Sequence, residues 1–295
     1  MDIRFLESFI VVADCGSIAE AARRLNFTPA ALAQRLRTLE RDLGHSLVMR
    51  VGRTVQPTAS GLAILEHARR LVEDARDLRA IAAEDEPAGQ LRLGAIATSL
   101  TGFLPEIIAR LRACCPRVEY FIRPDSSANL YHGVISGDLD AALMVQPQFQ
   151  MAKSTGWLTL RQEPLVLIAS EGVTPDVPTR MIENHPFIRY DRNQWGGQLV
   201  DQYLRENALQ VREWLELDAV DAIAGLVSRG LGVAIVPDWA PPWPEGLRLA
   251  KVALPDARSR QTGVLWNLSG ARISAINSFV DACRECIQDT WVPND

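Results

Sequence analysis

Apolar side chains recur every three or four residues in three stretches near the amino end, and this spacing predicts three short helices. Gly16 is suited to end the first helix. Ser17 and Glu20 have the spacing of a capping box, in which each side chain binds the other residue's backbone N–H at the start of the second helix. Thr28 is a good N-cap for the third helix, and Pro29 is a good first residue.

The third helix is predicted to have one apolar face and one polar face. Its inward stripe consists of Leu32, Leu36, Leu39 and Leu43. The opposite face carries Ala30, Gln34, Arg37 and Arg41. Two short helices joined by a tight turn, the second with small, amide and guanidinium side chains outward, are typical of a helix-turn-helix that reads base edges. An ordinary solvated helix face is the alternative.

The segment after the third helix predicts a β-hairpin. Residues 47–51 and 54–55 are rich in β-branched and other apolar side chains and flank Gly52-Arg53, so the hairpin has the form of a wing. Arg53 at its tip is expected to enter the minor groove of DNA, and Arg50 is expected to contact phosphate.

These features together resemble the DNA-binding domain of the LysR family of transcriptional regulators. The resemblance covers Phe5 to Gly61 and includes Ala-Ala-Arg-Arg-Leu at 21–25, Leu-Glu-Arg-Asp-Leu-Gly at 39–44 and Thr-Ala-Ser-Gly at 58–61. The family usually carries a Gln-Pro pair and a Ser on the recognition helix, where this chain has Pro29, Ala30 and Ala33. The residues expected at or near DNA are Ser17, Thr28, Pro29, Ala30, Ala33, Gln34, Arg37, Arg50 and Arg53, with the arginine of the third helix taken as Arg35 or Arg37.

A long helix is predicted from Thr58 to about Ala83. Its apolar residues recur every three or four positions, at Leu62, Leu65, Ala68, Val72, Ala75, Leu78 and Ala82. This stripe is expected to be exposed on a single subunit and to be buried by the same helix of a second subunit. The resemblance implies the same dimerising linker, and we expect a homodimer that assembles to a homotetramer. Charge, Pro and Gly at residues 84–89 predict a hinge.

Beyond the hinge, alternating strand and helix patterns predict an α/β sheet with parallel strands. The family resemblance extends over this part and implies a two-lobed effector domain built like a periplasmic solute-binding protein, with the chain crossing to the second lobe near Gln162 and returning near Asn267. The fold class is therefore α/β with an N-terminal winged helix-turn-helix. The predicted domains are 1–58 (DNA-binding), 59–89 (linker helix and hinge) and 90–295 (effector-binding), the last with lobe 1 at about 90–161 and 267–295 and lobe 2 at about 162–266.

Two segments are candidates for binding a small-molecule effector, with a carboxylate-bearing molecule as one option. Thr98, Ser99 and Thr101 open a helix after the first strand of the effector domain, where hydroxyls and free N–H groups suit an anion. A plain helix cap is the alternative. A polar and aromatic loop contains the second set, Asn193, Gln194 and Trp195, and Arg192 in the same loop is placed to pair with an acid. An ordinary surface loop is the alternative. Family position adds Ser126, Ser127 and Gln146.

Composition and charge narrow the function. Residues 1–60 hold eight arginines against six acidic residues, whereas the whole chain has a net charge of −5, so a mildly basic module is joined to an acidic body. The five cysteines do not form a disulfide framework, and no apolar run is long enough for a membrane helix, so we expect a cytoplasmic protein without membrane partners. No catalytic or metal site and no cofactor is predicted, because the four histidines are scattered. The expected partner is double-stranded promoter DNA. The alternative is a transport-type solute-binding protein with an appended helical module.

Overall fold

A computed structural model of the chain describes residues 2–52, 54–81, 89–174, 176–269 and 272–290. The chain divides into two compact units, Met1–Asp85 and Glu86–Asp295. Each unit has its own hydrophobic core.

The first unit begins with three short helices, α1 Ile3–Cys15, α2 Ile18–Arg24 and α3 Pro29–Leu43. Their ends follow the predicted signals. Gly16 ends α1 in the left-handed conformation, and the Thr28 side chain accepts a hydrogen bond from the N–H of Ala31 at the start of α3. The capping box is only half formed: the Ser17 hydroxyl accepts from the N–H of Glu20, but the Glu20 carboxylate pairs with the arginines of the next turn.

The inward stripe of α3 is shorter than predicted. Leu32, Leu36 and Leu39 are buried in the core of the first unit, whereas Leu43 is 36% exposed. Leu43 is the last residue of the helix, and the chain turns away at Gly44, which adopts the left-handed conformation. No core element among the described residues therefore covers the Leu43 side chain.

The predicted wing is present as β1 Val48–Val51 and β2 Thr54–Pro57, which pair antiparallel. Helix α4 follows at Ala59–Ile81. Its apolar positions do not form one free stripe, because Ala68 and Val72 are buried in the core of the first unit. Leu62 and Leu78, at 61% and 63% exposure, remain on the surface. Residues 82–88, which include the predicted end of this helix and most of the hinge, lie outside the described residues.

The second unit alternates strands and helices, as predicted. Its first half contains β3 Gly89–Ala95, α5 Ala97–Gly102, α6 Leu104–Cys114, β4 Val118–Pro124, α7 Ser127–Ser136, β5 Ala141–Val145 and β6 Thr155–Ser170. Its second half contains α8 Pro178–Asn184, β7 Pro186–Tyr190, α9 Trp195–Glu206, β8 Arg212–Leu217, α10 Val220–Ser228, β9 Ala234–Pro237, β10 Leu249–Ala253, β11 Ser259–Asn267 and α11 Ile273–Thr290.

The sheets are mixed rather than purely parallel. Strand β3 pairs in parallel with β4 and β5, and β7 pairs in parallel with β8. The two longest strands, β6 and β11, instead pair antiparallel with each other, and β6 also pairs antiparallel with β9 and β10. The chain runs back through the sheet along these antiparallel strands. The alternation of strands and helices in the sequence does not show which strands run back in this way.

Two lobes make up the second unit, and strands β6 and β11 run through both. Lobe 1 is formed by β3 to β5 with their helices and by α11 from the end of the chain, and it packs α6 and α11 on one face of its sheet and α7 on the other. Lobe 2 packs α8, α9 and α10 around β7, β9 and the end of β6. Gln162 and Gln261 face each other in the β6–β11 ladder between the two cores. The return to lobe 1 therefore lies near Gln261, earlier than Asn267, which is the last residue of β11.

Candidate effector cavity and DNA-facing helix

The outer face of α3 presents the small, amide and guanidinium side chains expected there. Pro29, Ala30, Gln34 and Arg37 are exposed, and Ala33 is half-buried. Gln34 and Arg37 are bonded to each other, because the guanidinium donates to Gln34 Oε1 from Nη2 at 2.7 Å and from Nε at 3.2 Å. Helix α2, which Ser17 caps, precedes α3 in the chain, and Thr28 caps the start of α3.

Arg35 differs from Arg37 in its surroundings. Its guanidinium carbon lies 3.9 Å from the centre of the Phe27 ring, and its Nη1 donates to the Ser8 hydroxyl at 3.5 Å. A cation–π contact of this kind holds the side chain against the protein. Arg37 is therefore the better candidate of the two for a DNA contact.

The wing contributes an exposed Arg50, whose Nε donates to the Gly52 carbonyl at 3.3 Å. Its neighbour at the tip, Arg53, lies outside the described residues. The DNA contacts of both arginines stay predictions.

A cavity of about 360 Å³ lies between the two lobes of the second unit, and we call it the cleft cavity. Its lobe 1 wall includes Thr98, Asp125, Ser126 and Ser127. Its lobe 2 wall includes Tyr190, Gln194, Trp195 and Asp218, and Arg260 of β11 also lines it. The volume is in the range of about 300–1,000 Å³ that is typical of small-molecule sites.

A buried ion pair lies beside the cleft cavity. Arg260 and Glu163 are each only 1% exposed in their side chains, and Arg260 donates to Glu163 Oε2 from Nε at 2.6 Å. Thr262 also donates to that oxygen, at 2.9 Å. The guanidinium extends to lobe 1, where Nη2 donates to Thr98 Oγ1 at 3.2 Å. This pair connects the crossing strands to the start of α5.

The structure brings together five of the nine predicted effector residues, because Thr98, Ser126, Ser127, Gln194 and Trp195 all line the cleft cavity. The other four do not line it. Ser99 is fully buried, Thr101 lines a neighbouring cavity of about 290 Å³, Gln146 follows β5, and Asn193 is exposed and bonded to Asp191. Whether any of the nine binds an effector stays a prediction.

The sequence suggested Arg192 as the partner of an acidic ligand, but acidic residues of the protein already pair with it. Its guanidinium forms ion pairs with Glu213 at 2.5 Å and Glu216 at 2.9 Å, both on β8. These two carboxylates raise the pKa of Arg192 above its ordinary value. The local pattern did not reveal this network, because β8 lies about twenty residues further along the chain.

The three charged lining residues were missed from the sequence: Arg260, Asp125 and Asp218. A signal was present for Asp218. It directly follows β8, and ligands of open α/β sheets bind beyond the carboxyl ends of parallel strands. No comparable signal marks Arg260, because its partner Glu163 lies 97 residues away.

Trp195 closes one side of the cleft cavity and touches the other lobe. Its ring centre lies 6.1 Å from that of Tyr131 and 5.6 Å from that of Phe149, both edge to face. Offset and edge-to-face aromatic pairs at these distances are favourable. The two lobes are therefore joined at the cavity by aromatic contacts as well as by the crossing strands.

Comparison with known protein families covers both units. The family described as "LysR substrate binding domain" matches residues 84–287, and the family described as "Bacterial regulatory helix-turn-helix protein, lysR family" matches residues 3–62. The chain belongs to the LysR family. It is a helix-turn-helix transcriptional regulator with an effector-binding domain, as the sequence predicted, and the transport-protein alternative is not supported.

Curated relatives of this LysR-family chain are transcriptional regulators. It is 27% identical over 251 residues to the HTH-type transcriptional regulator AlsR of Bacillus subtilis, and the match covers 81% of this chain and 82% of AlsR. It is 26% identical over 247 residues to the HTH-type transcriptional activator IlvY of Salmonella typhimurium, with 81% and 83% covered.

Solved structures share the fold of this LysR-family chain. Full-length CbnR in complex with its target DNA has a TM-score of 0.70 at 21% identity, covering 97% of this chain and 100% of CbnR. A full-length OxyR variant from Pseudomonas aeruginosa has a TM-score of 0.67 at 21% identity, covering 97% and 95%. Within the described ranges, no helix is both long and apolar enough to span a membrane.

Asp218 gives a pH-dependent prediction for this LysR-family chain. Partial burial, and then the charge of Asp191, raise the pKa of Asp218 above its ordinary value of 3.8. Because the pKa is higher in the folded state, ionising Asp218 lowers the stability of the fold at pH values above the folded pKa. Below the unfolded pKa the carboxyl is protonated in both states, and stability is not lowered. We expect Asp218→Asn to raise the Tm at pH 7 and to leave it unchanged near about pH 3. Thermal melts of the ligand-free protein across this range check it, and a constant difference at all pH values would contradict it.

Proposed function

We propose that this LysR-family regulator binds double-stranded promoter DNA through the outer face of α3 and the wing, and that a small molecule in the cleft cavity modulates its activity. The DNA contacts are assigned to Ser17, Thr28, Pro29, Ala30, Ala33, Gln34, Arg37, Arg50 and Arg53. The observation that carries the DNA assignment is the exposed face of α3, where Gln34 and Arg37 lie unburied beside small side chains. Small residues let a helix approach base edges, which amide and guanidinium groups can read.

The same proposal includes a homodimer that assembles to a homotetramer. Leu71 and Leu78 of α4 lie seven residues apart on one face of the helix and are 46% and 63% exposed, and an apolar helix face of this kind is buried when two copies pair. Two recognition helices on one duplex would then read half-sites related by two-fold symmetry. The solved complex of CbnR with its target DNA supports the DNA part of the proposal.

We infer that the protein acts in the cytoplasm, without a catalytic site, a metal or a cofactor. Its curated relatives are named as regulators rather than enzymes. Among the described residues, no group of three or more His, Cys, Asp or Glu side chains could hold a metal ion.

The effector is proposed to lie between the lobes, with Thr98, Ser126, Ser127, Gln194 and Trp195 around it. The anion side of this site is supported by α9, which begins at the cavity without a side-chain cap and has no acidic residue in its first turn. Free N–H groups at the start of a helix bind carboxylates. Ser99, Thr101, Gln146 and Asn193 stay in the proposal as residues that flank the cavity.

Salt-dependent DNA binding tests the proposal. Duplexes selected by the full-length protein from a random-sequence library serve as probes, and fluorescence anisotropy measures affinity at several salt concentrations. We expect Arg37→Ala to weaken binding by about 1–3 kcal/mol if it reads a base, or to lower the salt slope by about one if it contacts phosphate.

The matched control for Arg37→Ala is Arg180→Ala, which removes an exposed arginine from α8 of the second unit. It is expected to leave both affinity and slope unchanged. If Arg37→Ala behaves like Arg180→Ala, α3 does not present Arg37 to DNA. If the unsubstituted protein selects no duplex even at low salt, the DNA-binding proposal fails as a whole.

A further inference from the structure

The cationic group that lines the cleft cavity is already neutralised by the protein. Arg260 is the only basic residue among the described residues that line it. Its Nε and Nη2 atoms both lie within 2.6 Å of Glu163 Oε2, and Nη2 also donates to Thr98. An arginine whose charge is balanced and whose side chain is 1% exposed offers little to a second anion.

The carboxylates that line the cleft cavity are less well balanced. Asp125 of lobe 1 accepts hydrogen bonds from the Ser126 N–H at 2.8 Å and from the Asn129 amide at 2.7 Å, and its Oδ2 lies 3.9 Å from Nε of Arg123. Asp218 of lobe 2 differs, because no side chain or backbone N–H in the described ranges donates to it or forms an ion pair with it. The charged group that raises the pKa of Asp218, after its partial burial, is Asp191, which has the same sign. The least compensated charge of the described lining is therefore on Asp218.

A purely anionic effector does not match these walls. It would find polar N–H groups at the start of α9 but would also face the uncompensated carboxylate of Asp218, with the one cation of the described lining already paired. A purely cationic effector would match Asp218 but would leave the uncapped N–H groups of α9 unused. A molecule with both charges matches both, because its ammonium group can pair with Asp218 while its carboxylate accepts hydrogen bonds from the N–H groups at the start of α9.

We propose that the effector is a small zwitterion of the amino-acid type, whose ammonium group pairs with Asp218 and whose carboxylate lies at the start of α9. The inference rests on the proposed function, because it assigns a ligand class to the same cavity. It also gives Trp195 a role: this residue lines the same cavity and offers an apolar surface for the side chain of the ligand.

Matched sets of probes test the ligand class directly. The twenty common L-amino acids are first screened against the full-length protein by thermal shift, because a ligand of the native state raises the apparent Tm. The best amino acid is then compared by calorimetry with its 2-oxo acid, which lacks the ammonium group, and with its decarboxylated amine. For leucine these are 4-methyl-2-oxopentanoate and 3-methylbutylamine. We expect the amino acid to bind at least about tenfold more tightly than either analogue.

Asp218→Asn provides a readout that a general loss of structure would not give. It should weaken binding of the amino acid by about tenfold or more. It should also reduce the difference in affinity between the amino acid and its 2-oxo acid, because the Asp218 carboxylate no longer repels the 2-oxo acid. Asp176→Asn, which changes an exposed aspartate just before α8, is the matched control and should change neither affinity.

Each failure points to a different part of the proposal. If the 2-oxo acid or the amine binds as tightly as the amino acid, the zwitterion class is wrong while an effector site in the cleft cavity remains. If no amino acid shifts the Tm, the inference is overturned, and the DNA titrations decide independently whether the proposed function stands. If Asp218→Asn leaves the preference for the amino acid unchanged, Asp218 is not the ammonium partner.

Discussion

Glu163→Ala is expected to lower the free energy of unfolding of the second unit by about 3–5 kcal/mol, because it leaves the buried Arg260 guanidinium without a counter-charge. The loss also removes the acceptor of Thr262 and of the Ala240 N–H. All seven tryptophans belong to residues 86–295, so urea titration followed by tryptophan fluorescence reports on this unit alone.

Two further variants separate the ion pair from general damage. Glu171→Ala changes an exposed glutamate just after β6 and should stay within about 0.5 kcal/mol of the unsubstituted protein. The double variant E163L/R260M should recover much of the loss, since apolar residues often replace a buried pair at little cost. A single variant as stable as the control would show that Arg260 does not need Glu163 as a counter-charge. A double variant no better than the single one would show that the loss does not come from the unpaired charge.

Leu39→Ala is the second change with a large expected effect, a loss of about 2–5 kcal/mol in the first unit. Leu39 is fully buried between the helices of a small core, and the methyl groups removed leave a cavity. Because residues 1–85 contain neither tryptophan nor tyrosine, hydrogen exchange of the α1–α3 amides followed by mass spectrometry is the suitable measurement. Exchange through global unfolding should become faster by a factor that corresponds to this loss.

Leu43→Ala is the matched control, since it removes the same atoms from the same helix one turn later. Leu43 is 36% exposed, so we expect its effect to be much smaller than that of Leu39→Ala. Equal effects of the two substitutions would mean that the apolar stripe extends to the end of α3 after all, as the sequence spacing indicated.

The helices of the first unit could be predicted because their signals are local. The Ser17 and Thr28 caps and the Gly16 turn act within four residues, and each lies where the sequence placed it. The error at Leu43 has the same origin. Spacing identifies which face of a helix a residue occupies, but burial depends on whether another element reaches that face, and no described element does so at the end of α3.

The second unit was harder to predict where its contacts are distant in sequence. The alternation of elements indicated the parallel pairs of β3, but β11 pairs with β5 and β6, which precede it by about a hundred residues. The cleft cavity has the same property. Trp195 and Ser126 could be placed there from loop chemistry and family position, whereas Arg260 takes its role from Glu163, on a different strand.

The ladder formed by β6 and β11 limits how the lobes can move. It is continuous from Ser259 to Asn267 except for one shift of register between Thr262 and Gly263. Paired strands resist sliding because every hydrogen bond would have to change partner, whereas a bulge bends and twists with less disruption. Any closing of the cleft cavity should therefore be a flexing concentrated at this one irregular step, with the lobes kept in fixed register on either side of it.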